Sequence, residues 1–449
     1  MSSSGRDNVQ ELLKIIQNAA TEALNEYDKA GAEVPSLDST SPHPLDSSLE
    51  NLTLKKAVRT LEGACEQLCS TLAPPAHTLF NRGQDYYWAC LRVATEAGIP
   101  DILSSHPEGL HISEISKVAG IDSGKLGGVL TLLATRSCFR EVDTDVFANN
   151  RLSVLLKSDN NFRDFMSMLT LEGPQSALYL YDNLIDPQKG TSYDPADSPF
   201  MYFLEKDTGY KGSFFEWQKI RPDRMKVFGR GMKAMGGVLG SNSSLNNFPW
   251  QDYTTICDVG SGFGSFSIPL AKSFSNVKLV LHDLPAIIEQ AKQAWNRECP
   301  EIVEQGRVEF VPMNFLEVQP AAGQDVYYLR NIVHNWPDEQ TKIILRNVVG
   351  AMGKHSRLVI HEYVLQHADR RSNEANRGVG TELAPPPMLP NYGMGNIRMY
   401  NQDLVMLLMY NARERTLQQF IDIGKEVGLE LIKVYDLAEM SLLEFRLAE

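Results

Sequence analysis

At 449 residues, 43% hydrophobic and 22% charged, the chain has the composition of a soluble globular protein, with room for two or three domains of ~150 residues each. A net charge of −13 argues against a nucleic-acid partner, because phosphate binding needs clustered Lys and Arg. No apolar run approaches the ~20 residues that span a bilayer, and Met1-Ser-Ser-Ser-Gly-Arg-Asp7 has no apolar core behind Arg6, so the expectation is no membrane partner and a cytoplasmic location.

Residues 8–30 carry Val9, Leu12, Leu13, Ile15, Ile16, Ala19, Ala23 and Leu24 at three-to-four spacing, the pattern of an amphipathic helix. Residues 31–50 turn to Pro, Ser, Asp and His and read as a polar linker with little capacity to pack. A second helix over about Leu54–Thr71 is stopped by Pro74-Pro75. A helical arm on a loose linker is expected to pack on another subunit, and 1–79 is taken as the first segment. Cys65 and Cys69 stand four apart on that helix with no matching His or Cys pair, and are expected as buried small residues. Six thinly spread cysteines fit a reducing compartment rather than a disulfide framework.

From Tyr86 to Leu156 the pattern is helix Tyr86–Ala97, break at Gly98, helix Ile112–Ala119, helix from Asp122 through Thr135, and a small hairpin over Phe139–Phe147. That is a winged helix-turn-helix arrangement, here given the bounds 80–165. Its second helix is mostly apolar between Lys125 and Arg136, which favours a buried dimer contact over a DNA groove. Residues 157–250 read as mainly helical, with breaks at Gly190–Ser198 and Gly240–Asn247; 166–250 is expected to be a helical connector with substrate-side helices. Phe200, Met201, Tyr202, Phe203, Phe214, Phe215, Trp217, Phe228, Met232 and Met235 crowd this stretch, as core or as the lining of an aromatic pocket.

After Pro249 strands and helices alternate through 251–449: strands Thr255–Val259, Lys278–His282, Arg307–Val311, Asp325–Leu329 and Arg357–Leu365, then the pair Leu429–Tyr435 and Leu442–Leu447. Such alternation predicts an α/β domain, a parallel sheet with helices on both faces closed by an antiparallel pair. Asp258-Val-Gly-Ser-Gly-Phe-Gly264 ends the first strand and leads into a helix; glycines there let the backbone turn sharply and approach a ligand. Asp283, at the end of the next strand, can accept hydrogen bonds from both ribose hydroxyls. A dinucleotide fingerprint would place its third glycine at residue 265 or 267, and both are Ser. Gly-x-Gly-x-Gly behind Asp258 suits S-adenosylmethionine, which has no phosphate, better than a nicotinamide dinucleotide.

Tyr328-Leu-Arg-Asn-Ile-Val-His-Asn-Trp-Pro-Asp338 closely resembles the signature of the caffeate-type small-molecule O-methyltransferases of plants, fungi and bacteria. Further matches keep the family's order: Asp258–Gly264, His282-Asp-Leu-Pro285, Val227-Phe-Gly-Arg-Gly-Met232, His361-Glu-Tyr363 and Ala412-Arg-Glu-Arg-Thr416. The resemblance covers about 80–449, and the N-terminal arm is more like the fungal members. It implies a Rossmann-like class I methyltransferase domain with a seven-stranded, mostly parallel sheet, behind a winged-helix dimerisation domain, and a homodimer. It implies His334 as base with Glu362 and Glu414 flanking the imidazole. Cofactor contacts would come from Asp258, Gly260, Gly262, Asp283, Leu284, Asn314, Phe315 and the Arg330 backbone, and substrate contacts from Phe228, Met232, Asn331, Asn335 and Trp336. Asn314 and Asn335 depart from the family, which usually has acidic residues there. Residues 366–398 are a Pro-, Gly- and Asn-rich insertion, expected as a lid or pocket wall.

The expected reaction is transfer of a methyl group to a hydroxyl of a small aromatic, with a His general base and no metal, since no clustered oxygen-ligand motif for Mg²⁺ is visible. The alternatives are a nicotinamide-dependent oxidoreductase and a non-catalytic winged-helix regulator or scaffold.

Overall fold

A computed structural model describes residues 4–47, 51–238, 242–374 and 379–449. Parts of the expected linker 31–50, turn 240–247 and insertion 366–398 therefore lie outside the described residues. The chain condenses into two compact units whose bounds cut across the four expected segments: Met1–Ala23, Leu49–Cys69 and Leu239–Glu449 form one, Leu24–Ser48 and Ser70–Val238 the other.

The first unit is built on a seven-stranded sheet. Its strands are β1 (Thr255–Val259), β2 (Lys278–Asp283), β3 (Val308–Pro312), β4 (Val326–Arg330), β5 (Arg357–Glu362), β6 (Leu429–Asp436) and β7 (Ser441–Leu447). They lie in the order β6-β7-β5-β4-β1-β2-β3. The five strands from β5 to β3 are parallel; β7 pairs antiparallel with both β5 and β6. Strand side chains alternate between two cores. Cys257, Tyr327, Leu329, Leu358 and Ile360 face helices Asp338–Ala351 and Leu417–Glu426. Ile256, Val326, Tyr328 and Val359 face helices Ser267–Ser273 and Pro285–Glu298 with Trp250. The strand order reverses between β1 and β4, and an open sheet of this kind binds ligands at the carboxyl ends of such strands.

Where one long strand Arg357–Leu365 was expected, β5 stops at Glu362 and Val364–Leu365 leaves the sheet to pair in parallel with Arg415–Thr416. That second small ladder is what carries residues 413–416 to the end of β4.

One face of the N-terminal arm, expected to pack on another subunit, is buried within its own unit, while Leu13 stays half exposed. Leu12 and Ile15 of helix Gly5–Lys29 and Ala64 of helix Leu52–Leu72 bury against Ala384, Met388 and Tyr392 of the insertion. Gln67 Nε2 donates to Pro387 O at 2.7 Å and the Leu389 N–H donates back to Gln67 Oε1 at 2.9 Å. A Cβ on Gly63 would run into the Tyr392 carbonyl, and one on Gly395 into the Arg59 carbonyl, so both glycines permit the close approach. Arg59 is buried there: it donates to Asp436 at 3.1 and 3.2 Å and to Glu382 at 3.3 Å, and stacks 4.0 Å over the Tyr392 ring. The described part of the insertion is thus a cradle for the arm through Ala384, Met388 and Tyr392, while Leu389 and Met394 stay exposed. Cys65 and Cys69, expected buried, are exposed, because the helix turns Ala57, Gly63 and Ala64 inward.

The second unit holds helices Tyr87–Glu96, Ile99–Leu103, Ile112–Ala119 and Ser123–Thr135, with a three-stranded sheet of Leu110–His111, Val146–Ala148 and Arg140–Asp143. Leu126, Leu130 and Leu133 are fully buried in this unit's own core, so the apolar face of the second helix is not the dimer contact it was expected to be. The expected linker also packs: the Arg151 N–H donates to Leu37 O at 3.1 Å, and Arg151 pairs with Asp46. Helices Asn161–Ala177 and Pro222–Val238 lie together, with Arg224 bidentate on Glu172 at 2.6 and 2.7 Å and Arg230 on Asp164. Phe200, Met201, Phe214 and Trp217 are buried and pack as core, while Phe215 is half exposed and Tyr202, Phe203 and Met235 are partly buried. Phe228 packs its ring edge on Phe214 and, like Met232, is half-buried on helix Pro222–Val238. Among the described residues no helix is long and apolar enough to cross a membrane.

Candidate active site

The glycine loop follows β1. Gly260, Gly262 and Gly264 have φ of 77°, 56° and 85°, a region closed to most side chains. A Cβ on Gly260 would strike Ile332 and one on Gly264 would strike the Trp295 ring, while Gly262 faces open space. The loop is drawn toward β2 by hydrogen bonds: Gly260 N–H to His282 O at 2.8 Å and Gly262 N–H to Asp283 Oδ2 at 2.8 Å. Asp283 Oδ1 accepts from the Leu284 N–H at 2.7 Å, and Leu284 itself is exposed. Burial lifts the Asp283 carboxyl above its usual range, against the pull of those two N–H groups. Each carboxylate oxygen retains an unused lone pair, so Asp283 can still accept two hydroxyls.

Asp258 does not face outward. It is buried, accepts from Ser267 Oγ at 2.6 Å, and is pushed up to about 6 by burial. Its bond ties β1 to the following helix. Asn314, after β3, accepts from the Leu316 N–H at 3.1 Å and donates to Glu317 Oε1 at 2.8 Å. Phe315 stands edge-on to Trp336, ring centroids 6.0 Å apart. Arg330 ends β4 with its guanidinium on Ser265 Oγ at 2.7 Å.

Past β4 the chain makes a tight turn. Asn331 has φ 55°, an unusual conformation for a non-glycine residue, and its carbonyl accepts from Asn335 Nδ2 at 3.1 Å. Asn335, which stands where the family usually has an acid, is thus part of the turn's own bracing. Residues Val333–Asn335 form one short 3₁₀ turn with His334 buried. His334 Nδ1 lies 2.7 Å from Glu414 Oε1. Glu362, expected to flank the imidazole, lies close beside it and also braces the turn: its Oε1 accepts from the N–H groups of Ile332, Val333 and His334 at 2.9, 2.7 and 3.3 Å. Its Oε2, like Glu414 Oε2, is buried with no hydrogen-bond partner among the described residues.

Burial alone would lower the His334 pKa, but the carboxylates of Glu414 and then Glu362 outweigh it, raising it from 6.5 to about 9. Burial lifts Glu362 in turn, opposed by His334. His334, Glu362 and Glu414 are also the one group among the described residues whose ligand atoms, within 4.8 Å of each other, could hold a metal ion. The ring nitrogen turned to the acids, however, is already bonded to Glu414.

The expected positions from Asp258 to Trp336, together with Glu362 and Glu414, lie in the first unit around the ends of β1, β2, β3 and β4; Phe228 and Met232 lie in the second. Sequence reasoning passed over Arg415 and Asp338. Arg415, fully buried, donates to the Val333 and Trp336 carbonyls and to Asp338. It was visible only as one basic residue in Arg413-Glu414-Arg415, and nothing in that triplet marks which Arg is buried.

A model of the O-methyltransferase domain family matches residues 200–430. The chain is 38% identical to 3-O-methyltransferase 2 of Phanerochaete chrysosporium, over 97% of this chain and 96% of that relative. In fold it is similar to LepI in complex with SAM (TM-score 0.66, 20% identity, 90% of this chain and 97% of that one). A pericyclic reaction enzyme matches equally well (TM-score 0.66, 19% identity, 90% and 97%), so the fold by itself does not set the reaction. The family match and the 38% relative do: this chain belongs to the O-methyltransferase family. It is an S-adenosylmethionine-dependent enzyme that methylates small molecules on oxygen.

Proposed function

We propose that the enzyme methylates a hydroxyl of a small aromatic molecule, with His334 as general base and without a metal. The observation that carries this reading is the 2.7 Å bond between buried His334 Nδ1 and Glu414 at the end of β4. It fixes a proton on Nδ1 and leaves Nε2 with the lone pair that takes the hydroxyl proton. A phenol, with a pKa near ~10, is mostly neutral at pH 7 and gains most from such a base. The imidazolium formed is stabilised by Glu414 and by the field of Glu362, two acids that raise its pKa to about 9. The base form, with Nε2 free, therefore grows as pH climbs above the usual imidazole range, and activity rises with it.

The site fits S-adenosylmethionine: the open space over Gly262, the spare lone pairs of Asp283 and the exposed Leu284 beside them form a cradle for a ribose and an amino acid end. When bound, it supplies a methyl group on a positively charged sulfur. Asp283 would hold the ribose hydroxyls, the Gly260 and Gly262 backbone the amino acid end, and Asn314 and Phe315 the adenine, with the Arg330 backbone beside them. Asn331, Asn335 and Trp336 are the residues of this unit assigned to the acceptor. A homodimer is the assembly we favour, supported by large apolar side chains left exposed on the second unit, such as Phe80 and Leu178.

A screen of phenols with mass detection of a one-methyl gain tests the substrate class; turnover of aliphatic alcohols alone would contradict it. We predict that activity survives EDTA. Strict dependence on added Mg²⁺ would replace the base mechanism with a metal-assisted one.

A further inference from the structure

We propose that Arg415 is a positioning residue for methyl transfer, the clamp that holds the turn bearing His334 against the segment bearing Glu414. The proposal rests on His334 as the base. Three observations carry it. First, Arg415 is fully buried, an arrangement costly in lost hydration unless its donors are used. Second, those donors go to the catalytic turn. Nη1 donates to Val333 O at 2.8 Å, and Nη2 to Trp336 O at 2.7 Å and to Thr341 Oγ1 at 3.1 Å. Third, the guanidinium is itself held in place from outside, by Asp338 Oδ1 at 3.1 Å from Nε and 2.9 Å from Nη2.

The turn is thereby gripped by two buried charges of opposite sign. Glu362 takes the N–H groups of residues 332–334, and Arg415 takes the carbonyls of residues 333 and 336. Arg415 adjoins Glu414 in the chain, and the Glu414 N–H is fixed on Asp403 Oδ1 at 2.9 Å. One side chain therefore sets the spacing between the imidazole and its acid. A planar fork can meet two carbonyls and a carboxylate together; a lysine ammonium, with its donors at one point, cannot.

Arg415 also acts through its charge. The groups facing His334 are Glu362 from β5, and Glu414 and Arg415 from the segment beside Val364–Leu365; Asp338, Arg413 and Asp403 stand one step further out. Arg415 is the cation set against the two buried acids, and it lowers the pKa that they raise.

The test compares Arg415→Lys, Arg415→Met and Asp338→Asn with the wild type. Folding and S-adenosylmethionine affinity are checked by circular dichroism and calorimetry. The rate is read with catechol as probe acceptor, and the His334 titration by NMR on ring-labelled histidine. Arg415→Lys keeps the charge, so the titration should stay in place while kcat falls ~10–100-fold, the cost of a base displaced by about 1 Å. Arg415→Met should lower kcat at least as far and move the titration to higher pH. Wild-type kcat in Arg415→Lys overturns the proposal. Should Arg415→Lys not fold, Asp338→Asn decides: a several-fold loss of kcat supports the clamp, and an unchanged kcat overturns it. His334→Gln, measured beside them, separates the two ideas. Activity kept by His334→Gln sinks the base; activity lost there but kept in Arg415→Lys sinks only the clamp. If the wild type does not turn over catechol, the phenol identified by the acceptor screen takes its place, with the same outcomes.

Discussion

At the scale of single residues, the site divides into groups that face a ligand and groups that hold those groups still. Asp283 does both, since it closes the glycine loop through Gly262 and still offers lone pairs outward. We predict that Asp283→Ala weakens S-adenosylmethionine binding by ~1.5–3 kcal/mol, the cost of a lost charged acceptor, or roughly ten- to hundredfold by calorimetry. Unchanged affinity would remove Asp283 from the cofactor site. His334 and Glu414 were legible through the family resemblance of Tyr328–Asp338 and Ala412–Thr416, and the structure brings them to 2.7 Å. The partner of Glu362 was not legible. A carboxylate near an imidazole reads as its orienting acid, but three backbone N–H groups of a tight turn compete for the same oxygen and take it. The partner of Asp258 was not legible for a similar reason: Ser267 lies across the loop, not along it.

Elements were legible where hydrophobic period alone decides them. The alternation after Pro249 marks the strands nearly residue for residue, because strands buried on both faces are short apolar runs between turns. Helix Ile397–Tyr410 was missed, since its Gly- and Pro-rich approach masks the start. The docking of the arm was not legible either. An amphipathic stripe says that a face is buried, not against what. The fastening is Arg59, and we predict that Arg59→Met lowers unfolding free energy by ~2–4 kcal/mol, the low side of the range for breaking a buried ion pair because Glu382 is half-exposed. Chemical denaturation measures this directly. A change within ~0.5 kcal/mol, the usual effect of a surface substitution, would show that the arm is held by its apolar contacts alone.

For the whole molecule, the inward faces of the arm and of the second winged-region helix are buried within one chain and carry no argument for a dimer. The exposed apolar side chains do: Leu13 of the arm is 52% exposed, and on the second unit Phe80 is 65% and Leu178 80% exposed. We predict a dimer by light scattering at micromolar concentration, and a fully active monomer would leave that surface unexplained. Methyl transfer itself turns on His334. The pH dependence of kcat/KM should be compared for wild type and His334→Gln on one phenol. We predict that wild-type activity rises with a limb between 6.5 and about 9, as the imidazolium loses its proton. The variant should be slower by ~10²–10⁴ at neutral pH and should rise only with ionisation of the phenol. Coincident profiles, with most of the activity kept by His334→Gln, would mean that His334 only braces the turn and that the base lies elsewhere.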